Sequence, residues 1–217
     1  MTTLVVIAKE PIPGKSKTRL NPPLTFEQAA DLAAACIDDT LAALAAAPAS
    51  KRILFFEGAR IPASAAGFEV IAQPPGTLDE RLAWLFDNST EPTVLVGMDT
   101  PQLVASHLAP ALDGWADDID VWYGPAEDGG FWALGMREPR GDLIRGVPMS
   151  QDDTGAIQLA RLSAAGLRVG LLEHLTDVDT IADALAVAAD AAHTRFAREL
   201  RRIVASTTPP LAGAAEG

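Results

Sequence analysis

The chain has 217 residues, nearly half of them apolar, and a formal charge of −12 from 29 acidic and 17 basic side chains. That length suits one α/β domain with a sizeable core, and no apolar run is long enough to span a membrane. The acidic balance argues against nucleic acid as a partner, since counterion release requires a basic face. One cysteine, Cys36, excludes an intrachain disulfide, and three scattered histidines suit a His/Cys zinc site poorly.

Leu4 to Ala8 reads as a buried first strand. The start of the chain is too short and lacks the basic flank of a signal peptide, so a cytoplasmic protein is expected. The loop that follows carries Lys9, Lys15, Lys17 and Arg19, and the next basic residue is Lys51. Pro11 and Pro13 stiffen the loop and Gly14 lets it turn. A strand running into a basic, glycine-containing loop suits a small anion such as phosphate, although neither the Walker A nor the G-x-G-x-x-G spacing is present. A long alanine-rich helix follows, capped by Thr25 with Gln28 at the capping-box position. Its apolar residues fit a single face only loosely.

Arg52 to Phe56 and Phe68 to Ala72 read as further strands. Thr77 and Glu80 have capping-box spacing before a helix from Leu78 to about Phe86, whose amino end adds partial positive charge beside the basic loop. Arg81 on this helix suits either a phosphate or a nearby carboxylate. Val94 to Gly97, between Pro92 and Pro101, is a short buried strand leading to Asp99. An acidic residue at the carboxyl end of a parallel strand sits where open α/β sheets bind ligands, and it can hold a divalent cation. The plainer reading is that Asp99 caps a helix near Leu103 to Leu112.

Ile119 to Tyr123 is a strand leading to Asp128-Gly129-Gly130. The glycines allow close approach of a ligand or form a hairpin turn, and Asp128 suits a general base or an ordinary turn contact. Trp122 and Trp132 read as core. Asp152 or Asp153 caps a helix reaching about Ala165, and Leu167 to Leu172 is the last strand. Asp177 and Asp179 precede a helix capped by Thr180, and residues two apart in extended chain share a side, so both suit one cation. Helical sequence runs, with an interruption, to about Val204. Residues 1–205 read as one domain and 206–217 as a disordered tail. The expected fold is a mostly parallel sheet with helices on both faces, in a single Rossmann-like domain.

Four stretches in order carry a family resemblance: Ala8 to Leu20, Gly97 to Leu103, Gly124 to Leu134 and Asp177 to Thr180. They resemble motifs of a bacterial GT-A-like transferase family known as selenodomain-associated or arsenosugar-biosynthesis-type glycosyltransferases. The layout is also similar to that of molybdenum cofactor guanylyltransferase and phospholactate guanylyltransferase. The resemblance implies a nucleotide-binding GT-A fold with Mg²⁺ or Mn²⁺. Carried onto this chain, Lys9, Gly14, Lys17, Arg19 and Arg81 would meet the nucleotide phosphates. Asp99 would be the main metal ligand, with Asp179 a second ligand or an ordering group. Asp128 would act in catalysis with Asp99, and Gly129 and Gly130 would line the acceptor side. Two departures stand out: Asp79 replaces an expected glycine, and the first loop has only one glycine, which favours a sugar-nucleotide donor over a backbone-cradled triphosphate.

Three functions follow. The first is metal-dependent glycosyl transfer from a nucleotide-diphosphate sugar to a small-molecule acceptor. The second is nucleotidyl transfer from a nucleoside triphosphate, releasing pyrophosphate. The third is a non-catalytic nucleotide-binding accessory protein. Base, sugar, acceptor, stereochemical outcome and self-association are left open by the sequence.

Overall fold

Alternation of apolar side chains along the first strand, β1 (Thr3–Lys9), sets the plan of the molecule. Leu4 and Val6 face one layer of core, while Val5 faces the other. Around β1, a computed structural model describing residues 2–207 builds a seven-stranded sheet. The chain runs from β1 through α1 (Phe26–Leu44), β2 (Lys51–Glu57), β3 (Glu69–Ala72), α2 (Leu78–Asp87), β4 (Thr93–Val96) and α3 (Ala109–Leu112). It continues through β5 (Val121–Pro125), β6 (Phe131–Met136), α4 (Thr154–Ala164), β7 (Val169–Leu171), α5 (Ile181–Asp190) and α6 (Arg195–Thr207). The strand order is β3-β2-β1-β4-β6-β5-β7.

Every pairing is parallel except the two made by β6, which runs against β4 and β5. The expected mostly parallel sheet with helices on both faces is therefore present. Its one reversed strand comes from a hairpin at Gly129-Gly130, the turn alternative for those glycines. The strand ends of β1, β2, β4 and β5 consequently lie along one edge, the edge at which open α/β sheets gather ligands.

Helix α1 is capped as its sequence predicts, with Thr25 and Gln28 exchanging side-chain and backbone hydrogen bonds at 3.2 and 2.9 Å. It lacks one clear apolar stripe because it is buried on two sides. Ile37, Leu41 and Leu44 pack on the sheet, while Leu32 and Cys36 join Phe196, Leu200 and Ile203 of α6. Asp39 fixes α6 by accepting hydrogen bonds from the N–H groups of Arg195 and Phe196 at 3.0 and 2.8 Å. On the opposite face of the sheet, Leu82 and Phe86 of α2 and Leu162 of α4 pack with Phe55, Leu95 and Tyr123.

Some boundaries differ from expectation. The segment after Leu103 is a 3₁₀ turn (Ala105–Leu108) leading into the short α3, and its 3₁₀ turn is flanked by Val104, so Asp99 caps no helix there. Ser206 and Thr207 still belong to α6; the rest of the expected tail lies outside the described residues.

Candidate active site at the strand-end cleft

The segments after the strand ends close around one cleft of about 640 Å³. That is within the usual range for small-ligand sites, about 300–1,000 Å³. Lys9, Lys17, Arg19, Arg81, Asp99, Asp128, Gly130 and Asp179 all line it, residues drawn from separate stretches of chain. Gly14 does not; at φ 74° it serves the turn of the first loop. Ser16 closes that loop from within, its hydroxyl donating to the Glu10 carbonyl and accepting from the Ile12 N–H, both at 3.3 Å.

At the centre is Lys17, which the sequence assigns to phosphate. Its side chain is only 5% exposed, and its ammonium is 2.8 Å from Asp99 Oδ1 and 3.9 Å from Asp179 Oδ1. It also donates to the Val178 carbonyl. With its ammonium held by Asp99 and the Val178 carbonyl, Lys17 ties parts of the protein together as well as lining the cleft. Burial works against its charge, but the Asp99 carboxylate, with Asp179 behind it, outweighs burial and holds the ammonium above the usual lysine range. Among the described residues Asp99 Oδ1 has no other donor, and the second oxygen takes part in no hydrogen bond or ion pair.

Backbone contacts hold the two acidic segments together. The Val178 N–H donates to the Asp99 carbonyl at 2.9 Å, and the Gln102 amide donates to the Thr176 carbonyl at 2.7 Å. Extended chain at 177–179 points both carboxylates into the cleft, as the two-residue spacing predicts. Asp179 pairs with Arg19, so Arg19 too is partly committed. Among the described residues Asp177 makes no hydrogen bond through its carboxylate. Burial, then the charges of Asp99 and Asp128, push its pKa up to about 7.

Two cations remain free. The ammonium groups of Lys9 and Lys15 line the cleft and pair with no carboxylate among the described residues. Lys15 was noted in the basic loop but not singled out as a ligand; nothing local distinguishes it from Lys17. Arg81 takes the carboxylate alternative: it bonds Glu57 at 2.7 Å, Gln73 at 3.2 Å and the Gly76 carbonyl at 2.9 Å. Asp79, standing in place of the expected glycine, leaves its helix start intact, with Glu80 accepting from the Thr77 N–H at 2.9 Å. Asp79 instead reaches across to the Gly146 N–H at 2.7 Å.

That last bond fixes a wall the sequence did not mark. Met149, Ser150, Gln151 and Asp152 line the cleft from the segment before α4. The hairpin turn packs directly on it. A Cβ on Gly129, at φ 84°, would lie 1.9 Å from the Asp152 carbonyl oxygen. Gly129 is therefore a packing glycine, and Gly130 alone of the pair lines the cleft. Asp128 has one oxygen in an ordinary turn contact, accepting from the Gly130 N–H at 2.8 Å. Trp132 is core, its indole donating to the Glu173 carbonyl at 2.9 Å. Lys17 (φ 50°) and Ser150 (φ 59°) are the two non-glycine residues with positive φ among the described residues, and both line the cleft. Strained backbone of this kind concentrates at functional sites.

Among the described residues no three His, Cys, Asp or Glu side chains form a ready-made metal cage. Small hard cations do not require one, being commonly held by one or two carboxylates plus substrate phosphate. The second oxygen of Asp99 and the neighbouring Asp179, both lining the cleft, fit that partial donor set.

A seven-stranded, mostly parallel sheet with one reversed strand and a strand-end cleft of this kind defines a GT-A-like, nucleotidyltransferase-like fold. The pattern of a bacterial family described as "uncharacterized protein conserved in bacteria (DUF2064)" matches residues 32–151, more than half the chain, and the chain belongs to that family. A protein of Desulfovibrio desulfuricans G20, provisionally assigned as a nucleotide-diphospho-sugar transferase, has a similar structure (TM-score 0.82). The two are 25% identical over 94% of this chain and 95% of that one. Glucosyl-3-phosphoglycerate synthase from Mycobacterium tuberculosis, solved with Mn²⁺, UDP and glucosyl-3-phosphoglycerate, shares the fold at 12% identity (TM-score 0.51). The match covers 94% of this chain and 78% of that one. So does 2-C-methyl-D-erythritol 4-phosphate cytidylyltransferase from Thermus thermophilus at 18% identity (TM-score 0.52; 88% and 100% covered). No curated protein matches the chain in sequence. No helix among the described residues is long and apolar enough to cross a membrane.

Proposed function

We propose that this protein transfers a glycosyl group from a nucleotide-diphosphate sugar to a small acceptor, with a divalent cation. The observation that carries the reading is one cleft lined both by Lys9 and Lys15, which have no carboxylate partner among the described residues, and by the carboxylates Asp99 and Asp179. Cations free of protein partners suit phosphate oxygens, and carboxylates beside them suit the metal that such phosphates bring. The likeness to the Desulfovibrio protein over nearly the whole of both chains supports a sugar-nucleotide donor. The motif resemblance to arsenosugar-type glycosyltransferases points the same way, and soluble nucleotide donors fit a cytoplasmic site of action.

In this reading Lys9 and Lys15 bind the diphosphate, and Arg19 adds charge at its edge. Asp99 and Asp179 would hold Mg²⁺ or Mn²⁺, which supplies positive charge to the departing diphosphate. Lys17 keeps those two carboxylates close without a metal, so the site is organised before ligand arrives. Asp128, with one oxygen fixed by the turn, has the other available to take the acceptor's proton. The acceptor oxygen or nitrogen bonds to the anomeric carbon, the bond from that carbon to the phosphate oxygen breaks, and nucleoside diphosphate leaves.

Nucleotidyl transfer is the second reading. It is favoured by the four basic residues within positions 9–19, of which Lys9 and Lys15 have no carboxylate partner among the described residues. Incubation with Mn²⁺ and panels of nucleotide sugars and nucleoside triphosphates separates the two. The expected result is nucleoside diphosphate release from a nucleotide sugar and no pyrophosphate from any triphosphate. Pyrophosphate release would establish the second reading, and binding without either product would make the protein a non-catalytic nucleotide binder.

A further inference from the structure

The cleft is electrically divided, and the division constrains the acceptor. Every basic residue that lines it comes from the end of β1, the first loop or α2: Lys9, Lys15, Lys17, Arg19 and Arg81. From β5 to the start of α4 the lining includes Asp128 and Asp152 and no lysine, arginine or histidine, whereas Asp179 lies among the cations, 3.9 Å from Lys17 and paired with Arg19. Asp152 is exposed, and its carboxylate makes no hydrogen bond or ion pair among the described residues. Its backbone is nonetheless held firmly. Gly129 packs against its carbonyl, the Gln151 N–H donates to Thr154 Oγ1 at 3.1 Å, and that hydroxyl donates to the Pro148 carbonyl at 2.8 Å. An aspartate on fixed backbone, its carboxylate without a partner among the described residues, thus lines the part of the cleft left over once a diphosphate lies against the cations.

We propose that the acceptor is an uncharged or cationic compound bearing a hydroxyl or amine nucleophile, and that Asp152 helps select it against phosphate- or carboxylate-bearing acceptors. This rests on the glycosyl-transfer reading above. An anionic acceptor would lie beside the like charges of Asp128 and Asp152, with no cation contributed by that stretch of lining to meet it. A polyol finds acceptors for its hydroxyls in Asp128, Asp152 and the side chain of Gln151, and an ammonium group adds direct attraction.

The test uses the full chain, Mn²⁺, the nucleotide-sugar panel and four matched acceptors: glycerol, 2-amino-1,3-propanediol, glycerol 3-phosphate and glycerate. Nucleoside diphosphate release is measured above the rate without acceptor, for the wild type and Asp152→Lys. The expected result is stimulation by the first two compounds, with kcat/KM at least about tenfold above that of the two anions. Asp152→Lys should shift that ratio about fivefold or more toward the anions. Equal or better use of glycerol 3-phosphate or glycerate by the wild type would overturn the proposal. So would an unchanged ratio in Asp152→Lys, or silence from all four compounds while the donor is still hydrolysed. Those outcomes leave the donor reading standing. Absence of any nucleotide-sugar binding would instead remove the donor reading, and this proposal with it.

Discussion

The Lys17 ammonium stands 2.8 Å from Asp99 Oδ1, with the lysine side chain almost wholly buried and the aspartate 38% exposed. The pair joins the first loop to the segment after β4, and through Asp179 to the segment before α5. Three stretches distant in sequence are thus tied at one charged point. Removing the lysine would leave several carboxylates facing one another. Lys17→Met is expected to cost about 1–3 kcal/mol, less than a fully buried pair because both acids are partly solvated. Urea denaturation without metal measures it, and no loss of stability would show that the contact is incidental.

Lys9 and Lys15 should behave oppositely. Neither has a carboxylate partner among the described residues, so replacing either by alanine should leave stability within about 0.5 kcal/mol. Each loss should weaken nucleotide affinity about five- to tenfold, with a flatter salt dependence than wild type. Isothermal titration with a nucleoside diphosphate and Mn²⁺ at two ionic strengths checks this. Unchanged affinity in both variants would place the phosphates elsewhere.

Asp177 has a pKa raised to about 7 by burial and by Asp99 and Asp128, against about 3.9 in an unfolded chain. Between those values the folded protein keeps a proton that the unfolded chain has lost. Stability contributed by this group therefore falls as pH rises from about 4 to about 7. Carboxylates held below their usual range, such as Asp120 beside Arg168, lose their contribution only at lower pH. Melting temperature in chelator should drop from about pH 5.5 to about pH 7.5, and Mn²⁺ should restore it at the higher pH. A flat profile in chelator would contradict the crowded-acid picture.

Gly129 and Gly166 both have positive φ, yet only Gly129 of the two is pressed against another backbone. Gly166→Ala should cost about 1 kcal/mol, the ordinary left-handed penalty. Gly129→Ala should cost about 2–4 kcal/mol and also displace Ser150 to Asp152. Thermal melts of the two variants test the contrast, and equal losses would refute it.

Much of the fold was legible because its signals are local. The capping boxes at Thr25 and Thr180, the apolar runs of β1 and β4, and the alternation of strand and helix depend on near neighbours. The two-residue spacing of Asp177 and Asp179 foretold their shared side. What escaped depends on distance in space. Nothing near Lys17 in the chain shows that Asp99 and Val178 will take its donors, whereas nearby Lys9 stays free. The Ser150–Asp152 wall is set by Asp79, Gly129 and Thr154, each far away or without a recognisable motif. Likewise the reversed direction of β6 follows from a hairpin at Gly129-Gly130, which the sequence left level with close approach of a ligand.

The central proposition is that Asp99 couples a divalent cation to a nucleotide diphosphate in this cleft. Its most direct measurement is thermal stabilisation by a nucleotide sugar, with and without Mn²⁺, in the wild type and in Asp99→Asn. The expected result is a dose-dependent rise in melting temperature that requires Mn²⁺ in the wild type and is lost in the variant. Equal stabilisation of both proteins, or none in either, would contradict it.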